Sequence, residues 1–310
     1  MALFNLLIFP GFTFLFLCAL CFDWVDRRII ARFQERVGPP WFQPLADFIK
    51  LLAKEDILPA GVHPQSAALL PMLSLAAVLT AGLYVPVGSV ITASFEGDLI
   101  VVLFLLSLPA LGYFLAGWIS VGVYSLIGGH RSLLQYFSYE VPFLMALAGT
   151  AILSGSWRIA SIVEYQSQTT WGVLMQPLGF VLALAGLIGK LKRDPLDIPK
   201  AKSEVVAGPL TDFSGRKMAL WHLSIYIQTV VGIFLLVNLF FGGSSFTSSF
   251  FGTFPALLIF GSKALGILLL LSMTSVLYAR LRIDQLANLG WRVLAPLALL
   301  QIMTTIWMGG

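Results

Sequence analysis

The sequence contains eight predominantly apolar stretches, each long enough to cross a lipid bilayer as a helix. A spanning α-helix needs about 20 consecutive, mostly apolar residues. The stretches lie at roughly 2–23, 67–91, 99–127, 138–157, 172–189, 218–242, 254–279 and 289–308. Only 11% of the 310 residues are charged, whereas soluble domains average about 25%. The sequence therefore predicts an all-α integral membrane bundle of about eight transmembrane helices, formed as a single membrane domain over residues 1–310.

Lysine and arginine are confined almost entirely to one set of connecting loops. Of the 19 basic residues, 17 lie in or at the edges of loops 24–66, 128–137, 190–217 and 280–288. Basic residues are enriched in the cytoplasmic loops of membrane proteins. We therefore expect a multi-pass protein of the cytoplasmic membrane, with these four loops on the cytoplasmic side.

The first of these loops contains an amphipathic segment at 41–54. Its apolar residues recur at helical spacing, whereas Asp47 and Lys50 fall on another face. This pattern predicts a helix that lies in the membrane interface or against other helices.

The loop at 190–217 has the highest charge density in the chain. It holds 11 of the 34 charged residues, together with three prolines and two glycines. Its acids are Asp194, Asp197, Glu204 and Asp212, and they alternate with Lys190, Lys192, Arg193, Lys200 and Lys202. The apolar residues between these charges, Leu196, Ile198, Val205, Val206 and Leu210, favour a buried charge network over a solvated loop. Buried carboxylates close to cations can titrate near neutrality and relay protons.

Two further charges fall within the apolar stretches. Glu140 lies near the cytoplasmic end of the fourth stretch, and Lys263 lies about nine residues into the seventh, near mid-bilayer at about 1.5 Å per residue. Charges at such depths usually face a cavity or a partner charge. Both residues are therefore candidates for an ion pathway or for a structural ion pair. The seventh stretch has no acid of its own, so the partner of Lys263 must come from another helix or subunit.

Metal and redox chemistry have little support in the sequence. The only two cysteines, Cys18 and Cys21, lie together in an apolar stretch, and an iron–sulfur cluster needs about four ligands. His63, His130 and His222 are in separate segments. We expect no metal site and no redox cofactor on this chain.

Five segments resemble those of one known family, and they run in order along nearly the whole chain. They are RFQERVGPP at 32–40, QPLADFIKLLAKEDILP at 43–59, SYEVP at 138–142, RDPLDIPKAKSEVVAGPLTDFSGRKMAL at 193–220 and RLRIDQLANLGWRVLAPL at 280–297. The chain is identified by them as a member of the subunit 1 family of respiratory complex I (the H-type subunit of NADH-quinone oxidoreductases), which has relatives in energy-converting NiFe hydrogenases and related sulfur-reducing complexes.

This resemblance implies a bundle of about eight helices that joins a membrane arm to a peripheral redox arm. It implies that buried charges begin a path towards antiporter-like subunits, and Glu140, Asp197, Glu204 and Lys263 match charged positions of the family. Together with Asp194 and Asp212 of the charged loop, they are the candidate ion-pathway or coupling residues. It also implies a docking floor for the peripheral arm, formed here by Arg32, Arg36, Gln43, Asp47, Lys50, Arg280, Arg282 and Asp284.

Departures from the family pattern point to one branch. Where quinone-using members carry E-T-N-R and P-E-A-E, this chain has Lys190-Leu-Lys192-Arg193 and Pro199-Lys200-Ala-Lys202, so three acids are replaced by lysine. Quinone-type members also have about nine residues between their G-P and Q-P-L-A-D motifs, whereas here only Pro40, Trp41 and Phe42 intervene. The shortening resembles the hydrogenase branch. In quinone-type members the missing piece helps to shape the quinone entrance, so its loss argues against quinone use.

The sequence thus predicts a non-catalytic membrane anchor and coupling subunit of a ferredoxin-dependent hydrogenase-type complex that translocates H⁺ or Na⁺. Its expected partners are a NiFe large-subunit-like protein, small iron–sulfur subunits and antiporter-like membrane subunits, with the iron–sulfur clusters and the NiFe centre on those partners. The alternatives are a quinone-site subunit of a complex I-like enzyme and the equivalent subunit of a sulfur-reducing complex. An independent transporter is a further alternative, disfavoured because the stretches show no inverted repeat.

Overall fold

The computed structural model describes residues 2–244 and 253–309, without the side chains of residues 2–4, 202–203, 253–254 and 308–309. Within these ranges the chain forms fourteen α-helices. They are α1 (Ala2–Leu7), α2 (Phe12–Phe33), α3 (Gln43–Ala53), α4 (Pro64–Tyr84), α5 (Asp98–Ile119), α6 (Val123–Ser154), α7 (Ile159–Gln168), α8 (Gly172–Met175), α9 (Pro177–Leu191), α10 (Lys202–Val205), α11 (Gly215–Phe241), α12 (Thr253–Leu277), α13 (Ile283–Asn288) and α14 (Ala295–Gly309). A π-helical turn, Leu289–Leu294, makes α13 and α14 continuous.

The all-α membrane bundle expected from the sequence is confirmed. In the part of the chain that the structure describes, seven helical segments are long and apolar enough to cross a membrane. The remaining apolar stretch, the fifth at 172–189, is shorter than predicted, because Gln176 separates the four-residue α8 from α9. At 15 residues, α9 is about 22 Å long, less than the roughly 30 Å of a bilayer's hydrocarbon core.

Helix α11 is the centre of the bundle. In its most apolar window, 89% of the residues are buried, and it packs against α2, α3, α4, α9 and α12. The other long helices are one-sided, and each leaves large apolar side chains on the outer surface of the bundle. A helix that is apolar all round belongs in the interior, and helices with one outward apolar face suit contact with lipid or with other membrane subunits.

The prediction of a loop at 128–137 is wrong, because these residues are helical. Helix α6 runs for 32 residues from Val123, and the chain reverses before it at Ser120–Gly122. Close packing explains the continuity: a Cβ on Gly129 would lie 3.1 Å from the Cα of Gly117, and one on Gly117 would lie 2.6 Å from the carbonyl oxygen of Ser125. Helix α6 also contains Pro142, which has no backbone N–H to bond to the carbonyl group of Ser138.

The amphipathic helix predicted at 41–54 is confirmed as α3. It packs against α2 and α11, and the ring of Phe48 lies 5.5 Å from that of Phe16. Leu45, Ile49 and Leu52 remain exposed on its outer side, as expected for an interfacial helix.

The loop at 190–217 folds back into the bundle. Leu196, Ile198, Val205 and Leu210 are all at most 5% exposed. Val206 was predicted to be buried with them, but it is 53% exposed and takes a left-handed backbone conformation, with φ of 61°. Gly208 cannot be replaced without a shift of the chain, because a Cβ there would lie 1.8 Å from the carbonyl oxygen of Pro199.

Candidate functional site

The end of α9 determines where the first charges of the 190–217 loop point. Lys192 adopts a left-handed conformation with φ of 51°, and the N–H of Arg193 donates to the carbonyl of Ile188 at 3.3 Å. This is a Schellman-type helix end, in which a left-handed residue turns the chain away from the helix axis. Lys190 therefore stays inside the bundle, and Arg193 points to α2.

Lys190 forms a buried ion pair with Glu140. Its Nζ lies 2.8 Å from Oε1 of Glu140, and the side chains are 0% and 7% exposed. The ammonium group also lies 5.0 Å from the centroid of the Phe143 ring. The second oxygen of Glu140, Oε2, is buried and has no hydrogen-bond partner among the described residues. The carboxylate is thus half-satisfied, and it can accept a further hydrogen bond.

Two more lysines converge on the buried Tyr113 of α5. The Nζ atoms of Lys192 and Lys200 lie 4.4 and 5.7 Å from the centroid of its ring, as in cation–π contacts. The pKa of Lys192 is lowered to about 7, chiefly by burial and then by the charges of Lys200 and Lys190, against the opposite effect of Glu140 and Asp197. Burial also lowers the pKa of Lys200, and Asp197 opposes this. We call Lys190, Lys192 and Lys200 the lysine cluster.

Polar side chains from two helices fix the backbone of this loop. Nε2 of Gln135 donates to the carbonyls of Gly189 at 2.8 Å and Leu196 at 2.7 Å. The guanidinium of Arg280 donates to the carbonyls of Asp197 and Ile198. Buried carbonyl groups need such donors, so these two side chains hold in place the segment that carries the lysine cluster.

Arg193 has a partner that the sequence did not indicate. It forms a two-pronged pair with Asp26 of α2, at 3.0 Å to Oδ1 and 2.9 Å to Oδ2. Oδ1 of Asp26 also accepts from the hydroxyl of Ser272 at 2.6 Å. The signal for Asp26 is its place three residues after Asp23, where two acids follow a long apolar run.

A second charged group lies between α2, α3 and α11. Arg27 pairs with Asp23 at 2.8 Å and with Asp47 at 2.9 Å, and it donates to the hydroxyl of Tyr226 at 3.0 Å. Arg27, Asp47 and Tyr226 border an open cavity of about 390 Å³, which is also lined by Phe48, Lys50, Lys54 and His222. The cavity combines apolar walls with basic and hydrogen-bonding groups, which is typical of sites for amphipathic ligands.

The structure does not gather the four loop acids at one point. Asp197 lies beside the lysine cluster, whereas Asp194 is exposed. Glu204 is also exposed and pairs with Arg131, which lowers the pKa of its carboxyl. Oδ2 of Asp212 accepts from the N–H of Gly122 at 3.1 Å and from the hydroxyl of Ser125 at 3.0 Å. Asp212 thus places a negative charge at the N-terminus of α6, where it is electrostatically favourable.

The partner of Lys263 is the backbone at the end of α11. Its Nζ donates to the carbonyls of Phe241 at 2.8 Å and Gly243 at 2.7 Å, and it lies 5.2 Å from the centroid of the Trp171 ring. The partner thus comes from another helix, as the sequence predicts, but it consists of carbonyl groups and not of an acid. Carbonyl groups at a helix C-terminus attract cations, so no acid is needed.

The predicted docking residues divide into engaged and exposed groups. Asp47 and Arg280 form the contacts described above, and Gln43 donates to Asp47 at 2.9 Å. Five are exposed, namely Arg32, Arg36, Lys50, Arg282 and Asp284. The side chain of Lys202 lies outside the described part of the structure. Docking by these residues stays a prediction.

We expect Glu140→Gln and Lys190→Met each to lower the free energy of unfolding by about 3–5 kcal/mol, because each leaves one buried charge without its partner. The double variant removes both charges and should recover most of that loss. Denaturant-induced unfolding of the detergent-solubilised protein measures these values. Losses that simply add in the double variant would contradict a direct interaction.

We expect Lys263→Met to lower the free energy of unfolding by about 1–2 kcal/mol and to speed amide exchange in the last turn of α11, since two carbonyl groups lose their donor. Ser262→Ala is the matched control, because the Ser262 hydroxyl donates only within its own helix, to Ile259 at 2.8 Å. Unchanged exchange at the end of α11 would argue against this capping role.

Comparison with known proteins places this fold in a family. A family model described as NADH dehydrogenase matches residues 6–306. An NADH-quinone oxidoreductase H subunit of Geobacter metallireducens is 38% identical over 91% of this chain and 89% of its own length. The NADH-quinone oxidoreductase H subunit of Carboxydothermus hydrogenoformans is 33% identical over 94% of this chain and 85% of its own length.

A solved structure is similar over nearly the whole bundle. It is a chain of the membrane-bound sulfane sulfur reductase, an archaeal respiratory membrane complex, which matches with a TM-score of 0.86 and 26% identity over 94% of this chain and 96% of that chain. The comparisons agree, since the two relatives are named as subunits of NADH-quinone oxidoreductases and the similar solved chain belongs to a respiratory membrane complex. The chain therefore belongs to the NADH dehydrogenase family, together with the H subunits of the NADH-quinone oxidoreductases, and is a multi-pass membrane subunit of a respiratory-type complex.

Proposed function

We propose that this chain is the membrane anchor and coupling subunit of a ferredoxin-dependent, hydrogenase-type complex that uses redox energy to translocate H⁺ or Na⁺. The chain is non-catalytic in this proposal. The iron–sulfur clusters and the NiFe centre belong to a docked peripheral arm, on a NiFe large-subunit-like protein and small iron–sulfur subunits. Antiporter-like membrane subunits carry the ions, and the loops rich in basic residues face the cytoplasm.

The observation that carries this proposal is the buried pair between Glu140 and Lys190. Lys190 stands where quinone-using relatives carry an acid, and it neutralises Glu140 directly. Two further lysines, Lys192 and Lys200, add positive charge beside this pair. A charge path built from acids alone does not fit these residues. The coupling charge is instead carried by the ammonium groups of the lysine cluster, next to the carboxylate of Glu140.

A groove on the outer surface of the bundle supports a neighbouring membrane subunit. It has a volume of about 400 Å³ and lies between α5 and α6, where Ile100, Phe104, Tyr136 and Trp157 border it. Glu140 forms part of its inner wall. An antiporter-like subunit seated in the groove would meet the carboxylate whose second oxygen is unpartnered.

The coupling step in this proposal is a change in how Glu140 is paired. Docking or reduction of the peripheral arm shifts the 190–217 loop, whose backbone is held by Gln135 and Arg280. The shift moves Lys190 away from Glu140 or changes the protonation of Lys192, whose pKa is lowered to about 7 by its burial and its cationic neighbours. Once Lys190 has moved away, the carboxylate of Glu140 attracts a proton or cation from the membrane side.

A second candidate function is supported by the cavity between α2, α3 and α11. Its volume of about 390 Å³ and its Arg27, His222 and Tyr226 groups suit the polar head of a quinone, and the relatives in Geobacter and Carboxydothermus are named as subunits of quinone oxidoreductases. In this alternative the chain supplies the quinone site of a complex I-like enzyme.

Purification of the native complex distinguishes these candidates. Affinity capture through this chain in mild detergent, followed by mass spectrometry of the bound subunits, is expected to recover a NiFe large-subunit-like protein with its iron–sulfur partners. Recovery of a sulfur-reducing set would transfer the same coupling role to that complex. Recovery of an NADH-oxidising arm with quinone reductase activity would support the second candidate and overturn the first.

We expect Glu140→Gln to uncouple the complex without stopping electron transfer. In proteoliposomes, the rate of electron transfer by the peripheral arm should stay close to the unmodified rate, while the H⁺ or Na⁺ gradient falls by at least half. A gradient dye and a redox assay measure the two quantities in one sample. Glu164→Gln is the matched control, because Glu164 is an exposed carboxylate on α7.

The double variant Glu140→Gln/Lys190→Met separates coupling from stability. It removes the buried pair without leaving an unpaired charge, and it should remain uncoupled although it folds well. A double variant that builds a normal gradient would show that Glu140 serves only as the counter-ion of Lys190.

A further inference from the structure

A small enclosed cavity lies beside the lysine cluster, within the bundle. All three lysines line it, together with Tyr113, Trp221 and Ser224. Its volume is about 10 Å³, which is room for about one water-sized particle. The cavity therefore suits one small occupant, such as a water molecule or a monatomic ion.

Three residues that line the cavity carry a polar atom without a hydrogen-bond partner among the described residues. These atoms are the hydroxyl of Tyr113, the indole nitrogen Nε1 of Trp221 and the hydroxyl of Ser224. The three residues are 2%, 1% and 0% exposed. An unpaired buried polar group is costly, so three such groups on residues that line one space point to an occupant that binds them.

The walls are rich in donors and in positive charge. Trp221 Nε1 and the lysine ammonium groups can only donate hydrogen bonds. The amide nitrogen of Gln228, which also borders the cavity, donates to the carbonyl of Leu106 at 3.1 Å. Around the cavity, the ammonium groups face the carboxylates of Glu140, Asp194 and Asp197. A water molecule must donate as well as accept hydrogen bonds, whereas an anion only accepts and so matches walls that mainly donate.

We propose that this cavity is a binding site for a small monovalent anion of the halide class, such as chloride. The anion accepts hydrogen bonds from Tyr113, Trp221 and Ser224 and is attracted by the ammonium groups of Lys192 and Lys200. Lys190 contributes less, because one of its protons is already donated to Glu140.

Ligand-dependent stability provides the first test. A ligand that binds only the folded state stabilises it by about 2.7 kcal/mol at a concentration of 100 Kd. We expect the unfolding temperature of the detergent-purified protein to rise saturably when sodium gluconate is replaced by sodium chloride or bromide at constant ionic strength. An unfolding temperature that does not differ between gluconate and the halides would overturn the proposal.

Two variants locate the effect. Trp221→Phe keeps an aromatic ring but removes the donor, and it should abolish most of the halide-dependent shift. Trp118→Phe is the matched control, since Trp118 lies on α5 at 60% exposure, and it should keep the full shift. An equal shift in both variants would place halide binding elsewhere.

A crystallographic measurement requires no variant and remains decisive if Trp221→Phe does not fold. Crystals grown or soaked in bromide are expected to show an anomalous difference peak in the cavity, between the Tyr113 hydroxyl and Trp221 Nε1. Density without an anomalous signal would identify a water molecule and refute the anion site. This result is independent of the coupling role proposed for Glu140, because that role is read from the ion gradient.

Discussion

The buried pair between Glu140 and Lys190 is the interaction on which the arrangement of the other charges depends. It requires α6 and α9 to approach closely, and two glycines allow this. A Cβ on Gly186 would lie 2.6 Å from the Phe143 side chain, and one on Gly189 would lie 2.7 Å from the Tyr139 ring. A charge alone in this interior would be severely penalised, whereas a hydrogen-bonded pair is tolerated. The position of the pair then fixes where α9 ends and where the 190–217 loop begins.

Several other charged or polar side chains form hydrogen bonds with backbone groups rather than with one another. Lys263 binds carbonyl groups at the end of α11, Asp212 binds an N–H at the start of α6, and Arg280 and Gln135 bind carbonyl groups of the loop. Irregular backbone inside a membrane bundle needs such partners, because no lipid group can supply them. Part of the sparse charge in this chain is therefore used to satisfy main-chain groups.

The sequence predicted those parts of the structure that follow from hydropathy. All eight apolar stretches correspond to helices, and α3 lies where the amphipathic pattern indicated it. The error at 128–137 has a clear cause: His130 and Arg131 are polar enough to indicate a loop, but the glycines at 117, 128 and 129 let this segment pack as a continuous helix. Residue periodicity carries no information on such close approach.

The candidate site was only partly predictable, for a related reason. Glu140 and Lys190 are 50 positions apart, and Asp26 and Arg193 are 167 apart, so local pattern could identify charged candidates but not pair them. The roles of Lys263 and Asp212 were missed because backbone groups are among their partners, and a backbone group cannot be recognised from residue identity in a sequence. Tyr113 gave no signal at all, since an aromatic residue in an apolar stretch reads as ordinary core.

The two hydrogen bonds of Gln135 have a mechanical consequence. They clamp the end of α9 and the start of the loop to one point on α6, so these three pieces of backbone must be displaced together. Glu140 lies five residues further along α6, about 7.5 Å away along the axis, and the backbone bond between Ser138 and Pro142 is missing there. A displacement of the loop is therefore transmitted to α6 through Gln135, and Glu140 lies in the turn of α6 that lacks this backbone hydrogen bond. The carboxylate that pairs with Lys190 is thus placed where α6 can bend.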